Sequence, residues 1–170
     1  QKYGEDYVET TSPTMAMASY YIMEAVAAQA PDIIREVWDI AGAYYQTKPK
    51  YKQYMHPPPG YERPGYVWEL LQCMPGTKDA GHCFNEDFTQ YLVNEVGFNT
   101  NPADGASFFL RVGAAWVAAN FHVDDGAVFS NSRALIDAVF TRVNRRSRMK
   151  RGDKLNLLVG VYSERDADGI

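Results

Sequence analysis

Trp116-Val117-Ala118-Ala119-Asn120-Phe121-His122-Val123, then Asp124-Asp125-Gly126, then Ala127-Val128-Phe129 reads as one apolar strand, a polar break and a second apolar strand. Strand, Asp-Gly turn, strand is a hairpin signal. Its tip carries two adjacent carboxylates flanked by Phe121, Val123, Val128 and Phe129, an unusual place for a solvated charge run. Adjacent like charges repel and desolvate poorly, so the pair needs a cation or an exposed turn. The plain alternative is that Asp-Asp-Gly is a tight turn made of favourable turn residues.

A second acidic position lies upstream. Ile33 to Ile40 reads as a strand with Asp39 near its end, followed by the small residues Ala41-Gly42-Ala43, which permit close approach of a ligand. If that strand neighbours the hairpin, Asp39, Asp124 and Asp125 meet at one rim of a sheet. Such a carboxylate cluster suits divalent ions acting in phosphoryl transfer, and hard oxygen donors favour Mg²⁺, with Mn²⁺ as a substitute.

The remaining elements follow from period and punctuation. Residues 15–29 predict a helix, broken at Pro31-Asp32. Pro49, Pro57, Pro58, Pro59 and Pro64 leave room only for a brief edge strand at Gln53-Tyr54-Met55. Tyr66 to Cys73 predicts a strand, Asp79 to Val96 a helix stopped by Gly97, and Ser107 to Val112 a strand. Ser132 to Arg145 predicts an amphipathic helix through Leu135, Ile136, Val139, Phe140 and Val143, and Leu155 to Tyr162 a last strand. The expected fold is α+β, an antiparallel sheet with helices packed on one face, as a single domain over 1–170.

Composition narrows the class. A net charge of −4 shows no overall basic excess, although Arg142, Arg145, Arg146, Arg148, Lys150, Arg151 and Lys154 crowd one stretch. That stretch reads equally as a phosphate-contacting surface or as a solvated helix face complementing its C-terminal dipole. Lys48, Lys50 and Lys52 read as solubilising residues of a Pro-rich loop. Two cysteines make no disulfide framework, and Cys73, His82 and Cys83 match no usual zinc spacing. No apolar run is long enough to span a bilayer and no secretory signal opens the chain. Starting at Gln1 rather than methionine points to a piece of a longer chain. Trp38, Trp68 and Trp116 are expected in the core, as is Phe108-Phe109, and His122 is expected to alternate away from the aspartates.

A series of segments, in order, resembles copia-type retrotransposon reverse transcriptases. Gly4-Glu5-Asp6-Tyr7-Val8-Glu9-Thr10-Thr11-Ser12-Pro13 is similar to their G-x-D-Y-x-E-T-x-S-P run, and Trp38 to Tyr44 to their first catalytic motif. Tyr54-Met55-His56-Pro57-Pro58-Pro59-Gly60-Tyr61 resembles a Y-M-x-x-P-P-G-aromatic segment with one added proline. Gly76 to His82 resembles G-L-K-Q-A-P-R, Phe121 to Asp125 the Y-V-D-D box, and Met149-Lys150 with Leu157 to Val161 the closing M-K-D-L-G and F-L-G-I-E segments.

The resemblance implies a palm with partial fingers and without thumb or RNase H, acting as an RNA-directed DNA polymerase. It implies Asp39, Asp124 and Asp125 as catalytic metal ligands, and Ile40, Ala41, Gly42, Ala43, Tyr44 and Lys150 at the nucleotide, with Tyr44 as the gate against a 2′-hydroxyl. Gly76, Lys78, Arg145 and Arg146 would meet template or primer. The implied partners are an RNA or DNA template with primer and deoxynucleoside triphosphates, without a membrane. The implied location is intracellular, in cytoplasmic virus-like particles or the nucleus. Departures are Ala16, Tyr21, Asp79, Gly81, His82 and Phe84, and Asp79 is expected to oppose a passing polyanion. Two rival readings stand beside this one. One is a non-catalytic reverse-transcriptase-like module that binds nucleic acid or protein; the other is an unrelated phosphoesterase using the same aspartates and His122.

Overall fold

The computed structural model describes residues 1–152 together with Leu158 and Val161. The strand expected over Leu155–Tyr162 and its motif therefore lie outside the described residues, except for an antiparallel bridge between Leu158 and Val161. Lys154 lies outside them too. In chain order the elements are α1 (Met17–Gln29), β1 (Ile34–Ile40), β2 (Tyr54–Met55), β3 (Trp68–Glu69), α2 (Ala80–Tyr91), β4 (Asn99–Asn101) and β5 (Asp104–Val112). They continue with β6 (Ala115–His122), β7 (Asp125–Ser130), α3 (Arg133–Arg146) and β8 (Met149–Gly152). The chain forms two compact units, Gln1–Ser12 with Gly42–Phe88, and Pro13–Ala41 with Thr89–Ile170.

In the first unit, β2 and β3 form a two-stranded antiparallel ribbon. The strand expected over Tyr66–Cys73 shrinks to Trp68–Glu69, and Trp68 is 43% exposed rather than in the core. The cause lies in its partner: β2 sits between Pro49 and Pro57-Pro58-Pro59, and proline can neither donate to a ladder nor extend one. Tyr61 packs edge-on against Trp68 instead. This unit's own core gathers Cys73, Ala80 and Cys83 with Tyr44 packed on it. Both cysteines are free thiols.

Asp79 in this unit corrects an expectation. It is buried, and both carboxylate oxygens accept from the Gln53 Nε2 amide at 2.7 and 2.8 Å. Its carboxylate thus sits inside the unit, held by a side-chain amide, rather than on the exposed surface.

Among the described residues, the second unit holds a six-stranded sheet in the order β4-β5-β6-β7-β1-β8, with every pairing antiparallel. Helices cover both faces, not one. On the face of Arg35 and Val37, Tyr20 and Ala27 of α1 cluster with Ala127 and Phe129, and Arg35 pairs with Glu24 at 2.6 Å. On the opposite face, Phe140 of α3 meets Trp38 edge-on at 5.3 Å, and Arg133 reaches Glu36 at 2.5 Å. The reason is visible along β6 and β7, whose interior residues are buried at nearly every position. Continuous apolar runs mark strands covered on both sides.

Smaller differences have local causes. The helix expected to reach Val96 ends at Tyr91 and runs on as a π-helical turn over Leu92–Val96, stopped by Gly97 at φ 96°. Short β4 and β8 add edge strands that periodicity cannot show. In β5 the side chains alternate, so Phe108 is buried while Phe109 is 45% exposed and stacks on the half-buried Trp116. α3 starts where Ser132 Oγ accepts from the Leu135 N–H, and carries Arg145 and Arg146 in its last turn, where cations complement the dipole.

The β6–β7 turn also moves. Because His122 pairs with Asp125, the two loop residues are Val123 and Asp124, not Asp125-Gly126. Val123 has φ 60°, the one positive φ outside glycine among the described residues. Positive φ at the first loop position alone is the pattern of a type II′ turn, where glycine is the ordinary occupant. Left-handed backbone costs an L-residue about 1–2 kcal/mol, which glycine avoids at about 0.5–1 kcal/mol of extra unfolded freedom. Val123→Gly is therefore expected to raise stability by up to about 1 kcal/mol, read as a higher urea midpoint at unchanged slope. A lower midpoint would show that the valine side chain matters more than its backbone.

Candidate active site: an acidic row across four strands

Register builds the site. In an antiparallel ladder, directly opposed residues project to the same face, with Cβ atoms about 4.5–5.5 Å apart. His122 on β6 opposes Asp125 on β7, Asp125 opposes Asp39 on β1, and Asp39 opposes Lys150 on β8. The four side chains thus form one row, His122, Asp125, Asp39, Lys150, across four strands. Asp124 sits in the turn beside this row, and its carbonyl accepts from the Ile40 N–H at 2.8 Å, which ties the turn to the end of β1. The Ala41 N–H donates to the Arg148 carbonyl at 2.8 Å and fixes β1's exit on the other side.

Asp39 is half-buried, whereas Asp124, Asp125 and Lys150 are exposed. Although Asp125 reaches solvent, the protein around its carboxyl displaces enough water to push it above its ordinary range, and the charges of Asp124 and Asp39 push it further; His122 pulls the other way. A carboxyl raised on folding makes the folded state bind its proton more tightly. It therefore opposes folding above its folded pKa, and the penalty fades as pH falls through the carboxylate range near about 4. Asp125→Asn is expected to melt above the parent at neutral pH, with the gap closing under acid. A gap that persists or widens at low pH would contradict like-charge crowding.

Strand alternation predicts that His122 points away from the aspartates, yet its pairing with Asp125 puts it on the acidic face. The deciding signal is where the turn falls: placing the loop at Val123-Asp124 makes His122 oppose Asp125 across the ladder. Of the other residues that the motifs single out, Ile40 is fully buried. Arg145 and Arg146 are exposed at the end of α3, with the Arg146 guanidinium 4.8 Å over the Tyr91 ring. Gly42, Ala43 and Tyr44 belong to the first unit, in and before a 3₁₀ turn over Ala43–Gln46, where Tyr44 meets Phe84 edge-on at 6.3 Å. Gly76 and Lys78 are exposed in that unit as well.

Among the described residues, no three His, Cys, Asp or Glu side chains are gathered closely enough to hold a metal ion. The donor chemistry of the acidic cluster nevertheless fits a hard divalent cation, because all three donors are carboxylates and their mutual repulsion is what a cation relieves. None of the described helices is long and apolar enough to cross a membrane.

Comparison with known proteins gives a consistent result. The family described as reverse transcriptase (RNA-dependent DNA polymerase) matches residues 1–170. Two retrovirus-related Pol polyproteins of Arabidopsis thaliana, from transposons RE1 and RE2, are each 29% identical over the whole chain. A putative transposon Ty5-1 protein of Saccharomyces cerevisiae is 25% identical over 77% of the chain and 43% of its own length. The chain spans 12% of the length of each Arabidopsis relative. No solved structure gives a significant match.

Proposed function

Because the chain belongs to the reverse transcriptase (RNA-dependent DNA polymerase) family, we propose that it carries the catalytic core of template-directed nucleotidyl transfer to a primer 3′-hydroxyl, with Asp39, Asp124 and Asp125 as its acidic cluster. The observation that supports this most is the register that opposes Asp39 to Asp125 with Asp124 in the adjoining turn. Like charges crowded at a strand end serve no packing purpose, and the cost to Asp125 is the expected mark of a site kept for chemistry.

In this reading Asp39, Asp124 and Asp125 hold Mg²⁺, or Mn²⁺ in its place. A divalent ion held there would supply the positive charge that acidifies the attacking hydroxyl and offsets charge on the leaving pyrophosphate. Lys150, opposite Asp39, supplies a cation toward that leaving group. Tyr44, with Ala41, Gly42 and Ala43, meets the incoming deoxynucleoside triphosphate, and Tyr44 disfavours a 2′-hydroxyl. Ile40 contributes through packing, since its side chain is buried. Gly76, Lys78, Arg145 and Arg146 contact the RNA or DNA template with its primer, where cations contribute sequence-independent affinity. An intracellular site of action, in a particle or the nucleus, belongs to the same proposal.

The test is primer extension on a homopolymer template with Mg²⁺, run beside Asp124→Asn. Extension that disappears in the variant supports the reading. No extension by the parent chain leaves a reverse-transcriptase-like module that binds nucleic acid or protein without catalysis.

A further inference from the structure

β8 is a four-residue edge strand, too short for its ladder alone to hold a register firmly, and it carries Lys150. A slip of one residue would turn Lys150 to the α3 face and Arg151 to the acidic face. What opposes that slip lies on the α3 side of the sheet. There Glu36, 3% exposed, accepts from Arg151 twice, Nε to Oε2 at 2.5 Å and Nη2 to Oε1 at 2.6 Å. It also accepts from Arg133 at 2.5 Å and from the Trp38 indole at 3.0 Å. Burial by itself would push the Glu36 carboxyl up, yet these donors hold it below its ordinary value. Arg151 reaches Asp137 at 2.5 Å and lies 5.2 Å over the Phe140 ring, so its fork is fixed on three sides. Next to it, the Met149 N–H donates to Asn144 Oδ1 at 2.8 Å.

We infer that Glu36 and Arg151 are positioning residues for the reaction proposed above: their two-pronged ion pair sets the β8 register that places Lys150 opposite Asp39. The pair lies on the face away from the acidic row, so neither residue touches substrate there. A paired fork is directional as well as strong, and moving Arg151 by one position would leave the Glu36 charge buried without its main partner. Neighbouring residues on one strand thus divide the work, Arg151 anchoring and Lys150 presenting its charge.

This inference rests on the polymerase reading, and the test separates the two. Arg151→Met keeps the aliphatic stem over Phe140 and removes the fork, while Arg151→Lys restores a charge without two-pronged geometry. Amide exchange over Met149–Gly152 is followed in each variant. Extension kcat and KM are measured for Arg151→Met, Lys150→Ala and the double variant. Arg151→Met is expected to speed exchange in β8 while β6 and β7 stay protected, and to lower kcat roughly tenfold. The double variant is expected to be no slower than Lys150→Ala, and Arg151→Lys to recover part of the loss. Additive losses, or unchanged β8 protection in Arg151→Met, would overturn the inference. A parent chain without extension would sink the polymerase reading and the catalytic positioning role with it, whereas unchanged β8 exchange in an active Arg151→Met would sink the inference and leave the polymerase reading standing.

Discussion

Primer extension is expected to fall on the order of a hundred- to a thousandfold in Asp39→Asn and in Asp124→Asn, with no loss of thermal stability. The first half of this result follows from charge. An amide keeps the shape of the carboxylate but not its negative charge, so it binds Mg²⁺ poorly and cannot share in the acidic cluster. The second half follows from position. Asp124 is exposed in a turn, and its fold-stabilising contact to Ile40 runs through the backbone carbonyl, which the substitution leaves in place. Asp39 keeps its place in the β1–β7 and β1–β8 ladders for the same reason. Extension rates and melting curves on the same preparations check both halves. Full activity in either variant removes that residue from the site, and a loss of activity that tracks a lower melting temperature would make the aspartate structural.

Gly126→Ala carries the largest expected cost to the fold itself, about 1–3 kcal/mol. A Cβ at this position would lie 2.5 and 2.6 Å from two ring carbons of Phe121, its cross-strand partner. Phe121 has no room to withdraw: it is 4% exposed and packs edge-on against Phe108 at 6.1 Å. Interiors packed this densely answer an added methyl group with shifted side chains or backbone. The cost should appear as a lower urea midpoint at unchanged slope, and Phe121→Leu in the same chain should recover part of it. A midpoint equal to the parent's would mean the ring moves freely and the packing is looser than the contacts imply. Damage to β7 would also reach the acidic row, since Gly126 follows Asp125 directly.

These two residues show why the hairpin is only half legible along the chain. Its strands follow from apolar runs, and its acidic tip from Asp124-Asp125, because both are properties of adjacent residues. An Asp-Gly pair at a strand break looks like the turn, but the glycine is needed inside the strand for the Phe121 ring, and the strained turn falls on Val123. Which ring lies across from a glycine is invisible along one chain. Trp68 and Asp79 depart from expectation for the same reason: the first lacks a long partner strand, and the second finds Gln53 from 26 positions away.

Sequence alone determined the family resemblance, the helix and strand types of the long periodic segments, and the three aspartates as the place to look for chemistry. Those follow from local side-chain spacing and from motifs written contiguously. Tertiary structure alone decided that helices cover both faces of the sheet, that His122 and Lys150 complete the acidic row, and that Glu36 and Arg151 fasten its far end. Each of these depends on which residue opposes which across strands distant in sequence. That register is set by packing two faces at once, a condition no single segment contains.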